Sequence, residues 1–155
     1  MDKLIATKEF IAEILNDSRF AVLATEGDGQ PHASLIAVTP MEGFRKLIFA
    51  TYRNTRKYTN IKHNGKVAVL VESGDSNSLG LLDSFVLTAF GCVEEIAATD
   101  SDAVYKAHLE KHPDLLSFMQ TEDCVILRIN VERYEVVRGI DDVEWWTLDD
   151  LDAQT

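Results

Sequence analysis

Cysteine is scarce in this sequence, long apolar runs are missing, and positive charge is outnumbered. Two cysteines, Cys92 and Cys124, in 155 residues make neither a disulfide framework nor a Cys-x-x-Cys site, and are expected to be buried, reduced thiols of a cytoplasmic protein. No apolar stretch approaches the ~18 residues of a membrane span, and Met1-Asp2-Lys3 does not open a signal peptide. Lys and Arg number 15 against 26 Asp and Glu, a formal net charge of −11. Such a chain repels polyanions, so neither nucleic acid nor an anionic membrane is an expected partner. No G-x-G-x-x-G occurs and strands do not alternate regularly with helices, which excludes a parallel dinucleotide-binding sheet. No repeat, low-complexity tract or Pro/Gly/Ser-rich linker divides the chain. Residues 1–155 are therefore expected to form one domain, long enough to build a core without staples.

What is present is a basic island. From Gly43 to Val71 there is no Asp or Glu, while Arg45, Lys46, Arg53, Arg56, Lys57, Lys62 and Lys66 all fall there; the rest of the chain carries all 26 acidic residues. A local cationic patch in an acidic chain suits one small anion better than a long polyanion.

The hydrophobic pattern predicts a mainly β fold. Thr7 can cap an N-terminal helix (residues 1–17) carrying Phe10, Ile11, Ile14 and Leu15 on one face. Strands are expected at Phe20–Thr25, Ala33–Thr39, Lys46–Thr51, Val67–Val71, Phe85–Ile96 and Val125–Val137, the first two joined by a turn containing Asp28-Gly29. Gly91 inside the fifth strand marks a bulge or bend. A second helix is expected over Asn54–Asn64, capped by Asn54 or Thr55 and stopped by Gly65. A polar loop follows at Ser73–Gly80, and a third helix starts at Thr99-x-x-Asp102 and breaks at Pro113. Residues 140–155 read as an acidic tail holding Trp145-Trp146, with Asp149-Asp150-Leu151-Asp152 a solvated end. Six strands with short connections imply an antiparallel barrel or sandwich with helices outside.

The stretch Leu47 to Lys57 carries the chemistry. A strand ends at Thr51, and a helix begins with Arg56 and Lys57 in its first turn. Helix N-termini present free N–H groups and partial positive charge, so cations there are misplaced unless an anion joins them. A phosphate resolves the conflict, taking the N–H groups, a threonine hydroxyl and two charged contacts. His108 and His112 stand at i, i+4 and could chelate a metal, but Leu109 occupies the zincin glutamate position and no third ligand stands out. An exposed helix face, and no metal, is expected. No nucleophile or acid–base pair has sequence support, so no catalytic residue is assigned.

Strand-Thr-x-x-x-Thr-Arg-Lys-helix, followed by Asn64-Gly65-Lys66-Val67-Ala68-Val69-Leu70 and preceded by the Gln30-Pro31-His32-Ala33-Ser34 hairpin strand, resembles the FMN-binding split β-barrel superfamily that includes pyridoxamine 5′-phosphate oxidase. The likeness runs from about Arg19 to Val93, with Tyr134-Glu135-Val136-Val137 agreeing more loosely. It implies a six-stranded antiparallel split β-barrel with flanking helices, an FMN cofactor, and a homodimer with flavin at the interface. It implies that Thr51, Arg56 and Lys57, with Ala50, Arg53 and Thr55 around them, hold the phosphate. The strand Ser34, Leu35, Ile36, Ala37 and Val38 would run beside the isoalloxazine ring. The oxidase pattern opens that strand motif with Arg and closes it with Lys, where Ser34 and Thr39 stand here. Val86 falls where the oxidase has a glutamine, and its C-terminal arginine-rich motif is absent after Val137. The resemblance thus implies a flavoprotein, a small oxidoreductase or flavin reductase with small-molecule electron donor and acceptor, without vitamin B6 oxidase activity. A non-catalytic carrier or sensor of FMN, coenzyme F420 or haem is the alternative.

Overall fold

The computed structural model describes residues 8–72, 85–96, 101–139 and 141–154. The expected Thr7 cap, the Ser73–Gly80 loop and the Thr99 helix start lie outside these residues. The elements run α1 (Lys8–Asp17), β1 (Phe20–Gly27), β2 (Gln30–Ala37), β3 (Thr39–Met41), β4 (Lys46–Tyr52), α2 (Arg56–His63), β5 (Lys66–Glu72), β6 (Phe85–Glu95), α3 (Ser101–Lys111), a 3-10 turn (Pro113–Leu115), α4 (Leu116–Met119), β7 (Cys124–Arg138), β8 (Asp142–Thr147) and α5 (Leu148–Asp152).

All eight strands belong to one antiparallel sheet in the order β2-β1-β5-β6-β7-β4-β3, with β8 added on β7. The sheet curls into a split barrel around Leu23, Leu47, Phe49, Val69, Leu87, Leu127 and Ile129, which are buried. β7 is 15 residues long. It pairs with β6 along almost its whole length, with β4 over Cys124–Asn130 and with β8 over Arg133–Arg138. The β1–β2 hairpin closes through Asp28 and Gly29 at φ 53° and 80°, the two left-handed residues of a tight hairpin turn. The register shift between Phe90 and Gly91 is the bulge expected at that glycine. A Cβ on Gly91 would lie 2.2 Å from the Asn130 carbonyl oxygen, so β6 and β7 cross there only because the side chain is missing.

α1 buries Ile11, Ile14 and Leu15, as its spacing predicts, and Phe10 meets the Phe85 ring edge-on at 5.1 Å. Lys111, at the end of α3, donates to the carbonyls of Leu15, Ser18 and Val38 at 2.8, 2.6 and 2.8 Å. One ammonium thus ties α1, α3 and the end of β2 together, each proton meeting one acceptor.

Four expectations need correction. Among the described residues the sheet has eight strands, not six. β3 is three residues long and contains Pro40, too short to register as a pattern. The acidic tail is folded: β8 alternates half-buried and exposed residues on β7, and α5 starts with a reciprocal capping box between Thr147 and Asp150. Leu151, read as part of a solvated end, is fully buried in the core. Helix α2 ends without a left-handed glycine, because Asn64 continues in extended backbone at φ −144°. Finally, His108 and His112 do not form an exposed face; both are buried, because α3 packs on β3 and β4 and His112 just after it reaches the Val38 carbonyl. No described helix is long and apolar enough to cross a membrane, and the described residues hold no cluster of three metal-ligating side chains.

Candidate functional site

The end of β4 feeds α2 through a turn that threonines organise. Thr55 has extended backbone and caps the helix, its hydroxyl oxygen accepting from the Tyr58 N–H. The same hydroxyl donates to the Tyr52 carbonyl at 2.8 Å, and the Thr51 and Thr55 hydroxyl oxygens stand 3.2 Å apart. This fixes the helix entry and leaves the N–H groups of Arg56 and Lys57 without intrahelical acceptors.

Beside that N-terminus opens a cleft of about 250 Å³. Its walls are Phe20 of β1, Leu35, Ile36 and Ala37 of β2, Ala50, Thr51 and Tyr52 of β4, Thr55 and Lys57 at α2, and His108, Leu115 and Phe118 from the region between β6 and β7. The Tyr52 and Phe118 rings meet at a tilt, their centroids 4.5 Å apart. The result is a mostly apolar slot with a cation and two hydroxyls at one rim, a shape and chemistry suited to a planar ring bearing an anionic group.

Lys57 is half-buried, and burial lowers its pKa below the ordinary lysine value. Among the described residues it has no carboxylate partner. A partly desolvated, unpaired ammonium at a helix N-terminus is unfavourable by itself and favourable once an anion arrives.

Of the residues singled out in the sequence, Leu35, Ile36, Ala37, Ala50, Thr51, Thr55 and Lys57 come together around this cleft. Ser34, Val38, Arg53 and Arg56 do not line it. Ser34 turns inward, its hydroxyl buried without a partner. Val38 spends its N–H on the Arg19 carbonyl and its carbonyl on Lys111 and His112, which leaves no backbone group for a ligand. Arg53 points away, donating to the Glu122 carbonyl at 3.0 Å. Arg56 is exposed.

Phe20, Tyr52, His108, Leu115 and Phe118 were not foreseen. The aromatic ones carry no local signal. His108 had one, the i, i+4 histidine pair, but its burial depends on the docking of α3. The His108 Nδ1 sits 2.8 Å from the Thr39 hydroxyl, while its Nε2 is buried with no hydrogen-bond partner. Burial, then the charges at His112 and Lys111, hold its pKa down at about 4.

A curled antiparallel sheet with this helix entry beside its open side defines a split-barrel protein. The chain matches the family model described as pyridoxamine 5′-phosphate oxidase over residues 7–138, and it belongs to that family. A Schizosaccharomyces pombe protein named as a pyridoxamine 5′-phosphate oxidase homolog is 34% identical over 86 residues, 48% of this chain and 45% of that protein. This chain therefore matches less than half the length of that relative. A haem-binding protein from Mycobacterium smegmatis superposes with TM-score 0.84 at 19% identity, over 98% of this chain and 62% of that one. HutZ, a haem storage protein from Vibrio cholerae, gives TM-score 0.68 at 17% identity, over 79% of this chain and 87% of its own. At these identities the two structures share the fold.

Proposed function

We propose that this protein binds FMN and works as a small oxidoreductase or flavin reductase with small-molecule electron donor and acceptor. The observation that carries this reading is Lys57, half-buried and unpaired at the α2 N-terminus, next to the Thr51 and Thr55 hydroxyls. Those groups fit a phosphate, and the apolar walls beside them fit a flat heteroaromatic body. Arg56 adds long-range attraction from outside. β2 is an edge strand, so the backbone of Leu35–Ala37 borders the ring. Arg53 and Val38 take no part, their groups being engaged elsewhere. A bound flavin supplies the hydride and electron chemistry, which is why the chain needs no acid–base pair of its own.

The protein acts as a homodimer in this reading. Leu35, Val22 and Leu70 are direct cross-strand neighbours on β2, β1 and β5, and they are exposed, with Leu35 at 66%. Phe20 extends the row to the cleft. A second copy of the chain laid on this row would bury it and cover the flavin at once. The cytoplasm, where free Cys92 and Cys124 stay reduced, is the proposed compartment.

The neighbouring haem proteins, with a histidine in the cleft here, favour haem as the second reading. Coenzyme F420 also carries a phosphate, so Lys57 does not separate it from FMN. The absorbance spectrum of the purified protein, followed by reconstitution with FMN, FAD, F420 and haem, tests all of these. A yellow protein that releases FMN in acid is expected. No flavin uptake from excess FMN overturns the reading, and a Soret band replaces it with the haem one. Steady-state NAD(P)H turnover then separates an enzyme from a carrier.

A further inference from the structure

His108 is a cleft residue that the phosphate contacts leave unused. Its ring is fully buried, it lines the cleft, and among the described residues its Nε2 meets no partner. A buried polar atom without a partner is uncommon in a folded protein and calls for an explanation, and of those in this chain the His108 atom belongs to a residue that lines the cleft.

The proton on this ring can be placed. Thr39 is buried, and among the described residues its hydroxyl oxygen meets only His108 Nδ1. If Nδ1 carried the proton, the Thr39 hydroxyl hydrogen and the Nε2 lone pair would both be stranded. If the hydroxyl donates to Nδ1, only the Nε2–H remains to be satisfied. The second arrangement strands fewer groups, so His108 presents a donor.

The surroundings keep that donor neutral. His112 faces the ring with centroids 4.9 Å apart and spends its own Nε2 on the Val38 carbonyl. Lys111 is committed to three carbonyls. Among the described residues no carboxylate is hydrogen-bonded to His108, and burial keeps the imidazole uncharged at neutral pH. A neutral N–H in an apolar slot suits a neutral acceptor, a ring nitrogen or ring carbonyl, and does not supply the countercharge an anionic group needs.

We propose that His108 is a ligand-contacting residue of the cleft, its Nε2–H donating to a ring nitrogen or carbonyl oxygen of the bound planar heteroaromatic, with Thr39 fixing the tautomer. This rests on the FMN reading above and adds a second point of recognition, on the ring, to the phosphate point at Thr51, Thr55 and Lys57. A ligand held at both points is oriented as well as retained.

The test uses the full chain and FMN as the probe. Quenching of flavin fluorescence gives Kd for the wild type, His108→Phe and His108→Gln. Loss of one neutral hydrogen bond predicts roughly three- to tenfold weaker binding in His108→Phe. His108→Gln, whose amide N–H can donate, recovers part of it. Because the site is buried, a second measurement avoids substitution: in 15N-histidine-labelled wild type, the His108 Nε2 signal is expected in the protonated range and moves on FMN addition. Equal Kd values in all three proteins, or an Nε2 signal that ignores bound FMN, overturn the proposal and leave the FMN reading standing. A His108-dependent Soret band with haem also overturns it, since iron would need the lone pair on Nε2. A wild type that binds neither FMN nor haem removes the site reading and this proposal together.

Discussion

The Thr39 hydroxyl and the His108 imidazole meet at 2.8 Å across 69 residues of sequence, and the burial they share is expected to make the protein sensitive to acid. His108 is held at about 4, below the ordinary histidine value of 6.5, and burial lowers His112 too. Above pH 6.5 the His108 ring is neutral both folded and unfolded, so it contributes no pH dependence. Between about pH 6.5 and 4 the unfolded chain takes a proton that the folded chain refuses, so stability falls as pH falls. One proton over that window is worth at most ~3 kcal/mol. Urea unfolding at pH 7 and pH 4.5 should show a smaller loss in His108→Phe than in the wild type. Equal losses would mean that other groups set the acid limit.

Lys57→Ala should weaken FMN binding roughly ten- to a hundredfold, the worth of one charge-assisted hydrogen bond. Arg56→Ala should do less, because that side chain is exposed and acts at longer range. Without FMN, Lys57→Ala should melt no lower than the wild type, since an unpaired cation leaves the helix N-terminus. Fluorescence titration and thermal melts measure both. Unchanged affinity in the Lys57 variant would make the basic island a solvated face.

Leu70→Glu puts a charge into the exposed row formed with Val22 and Leu35. Sedimentation at low micromolar concentration should show a wild-type dimer and a monomeric variant, because an interfacial carboxylate without a partner is costly. A wild type that sediments as a monomer with its flavin retained would show that one chain completes the site.

Gly91→Ala should cost roughly 2–4 kcal/mol in urea unfolding. Its Cβ would lie 2.2 Å from a backbone carbonyl and 3.0 Å from the Val131 Cα, and neither can move without parting β6 from β7. A neutral substitution would mean that the bulge relaxes at little cost.

Pyridoxamine 5′-phosphate should not be turned over. Ser34 and Thr39 stand where the oxidase pattern has cations, and Thr39 is committed to His108. A rate of order 1 s⁻¹, typical of enzymes, would refute this.

The strands and the β4–α2 entry were legible because their signals are local. Period-2 alternation in Val67–Val71, the Asp28-Gly29 turn and the Thr55 cap each follow from a few adjacent residues. β8 was not, since its alternation is hidden among acidic residues and it becomes a strand only by pairing with β7. Leu151 looked like the end of a tail until the Thr147–Asp150 box turned it into the core. Arg53 and Val38 were placed beside a ligand by position in a motif. What redirects them, the Glu122 carbonyl and the Lys111 ammonium, lies far away in sequence. His108 failed for the same reason: a helix that docks over a cleft looks, from its own residues, like any solvated helix.

The pairing of β4 with β7 bears on biosynthesis. β4 ends at Tyr52, and its long partner begins at Cys124. Until then β4 has only the three-residue β3 to pair with. On a ribosome, the Thr51–Lys57 end of the cleft cannot be held in place until β7 has emerged, so local hairpins form first and the distant closure comes late. Any cofactor would be captured only after β7 has been made, and nascent chains stalled before β7 should neither bind FMN nor resist protease at Thr51–Lys57.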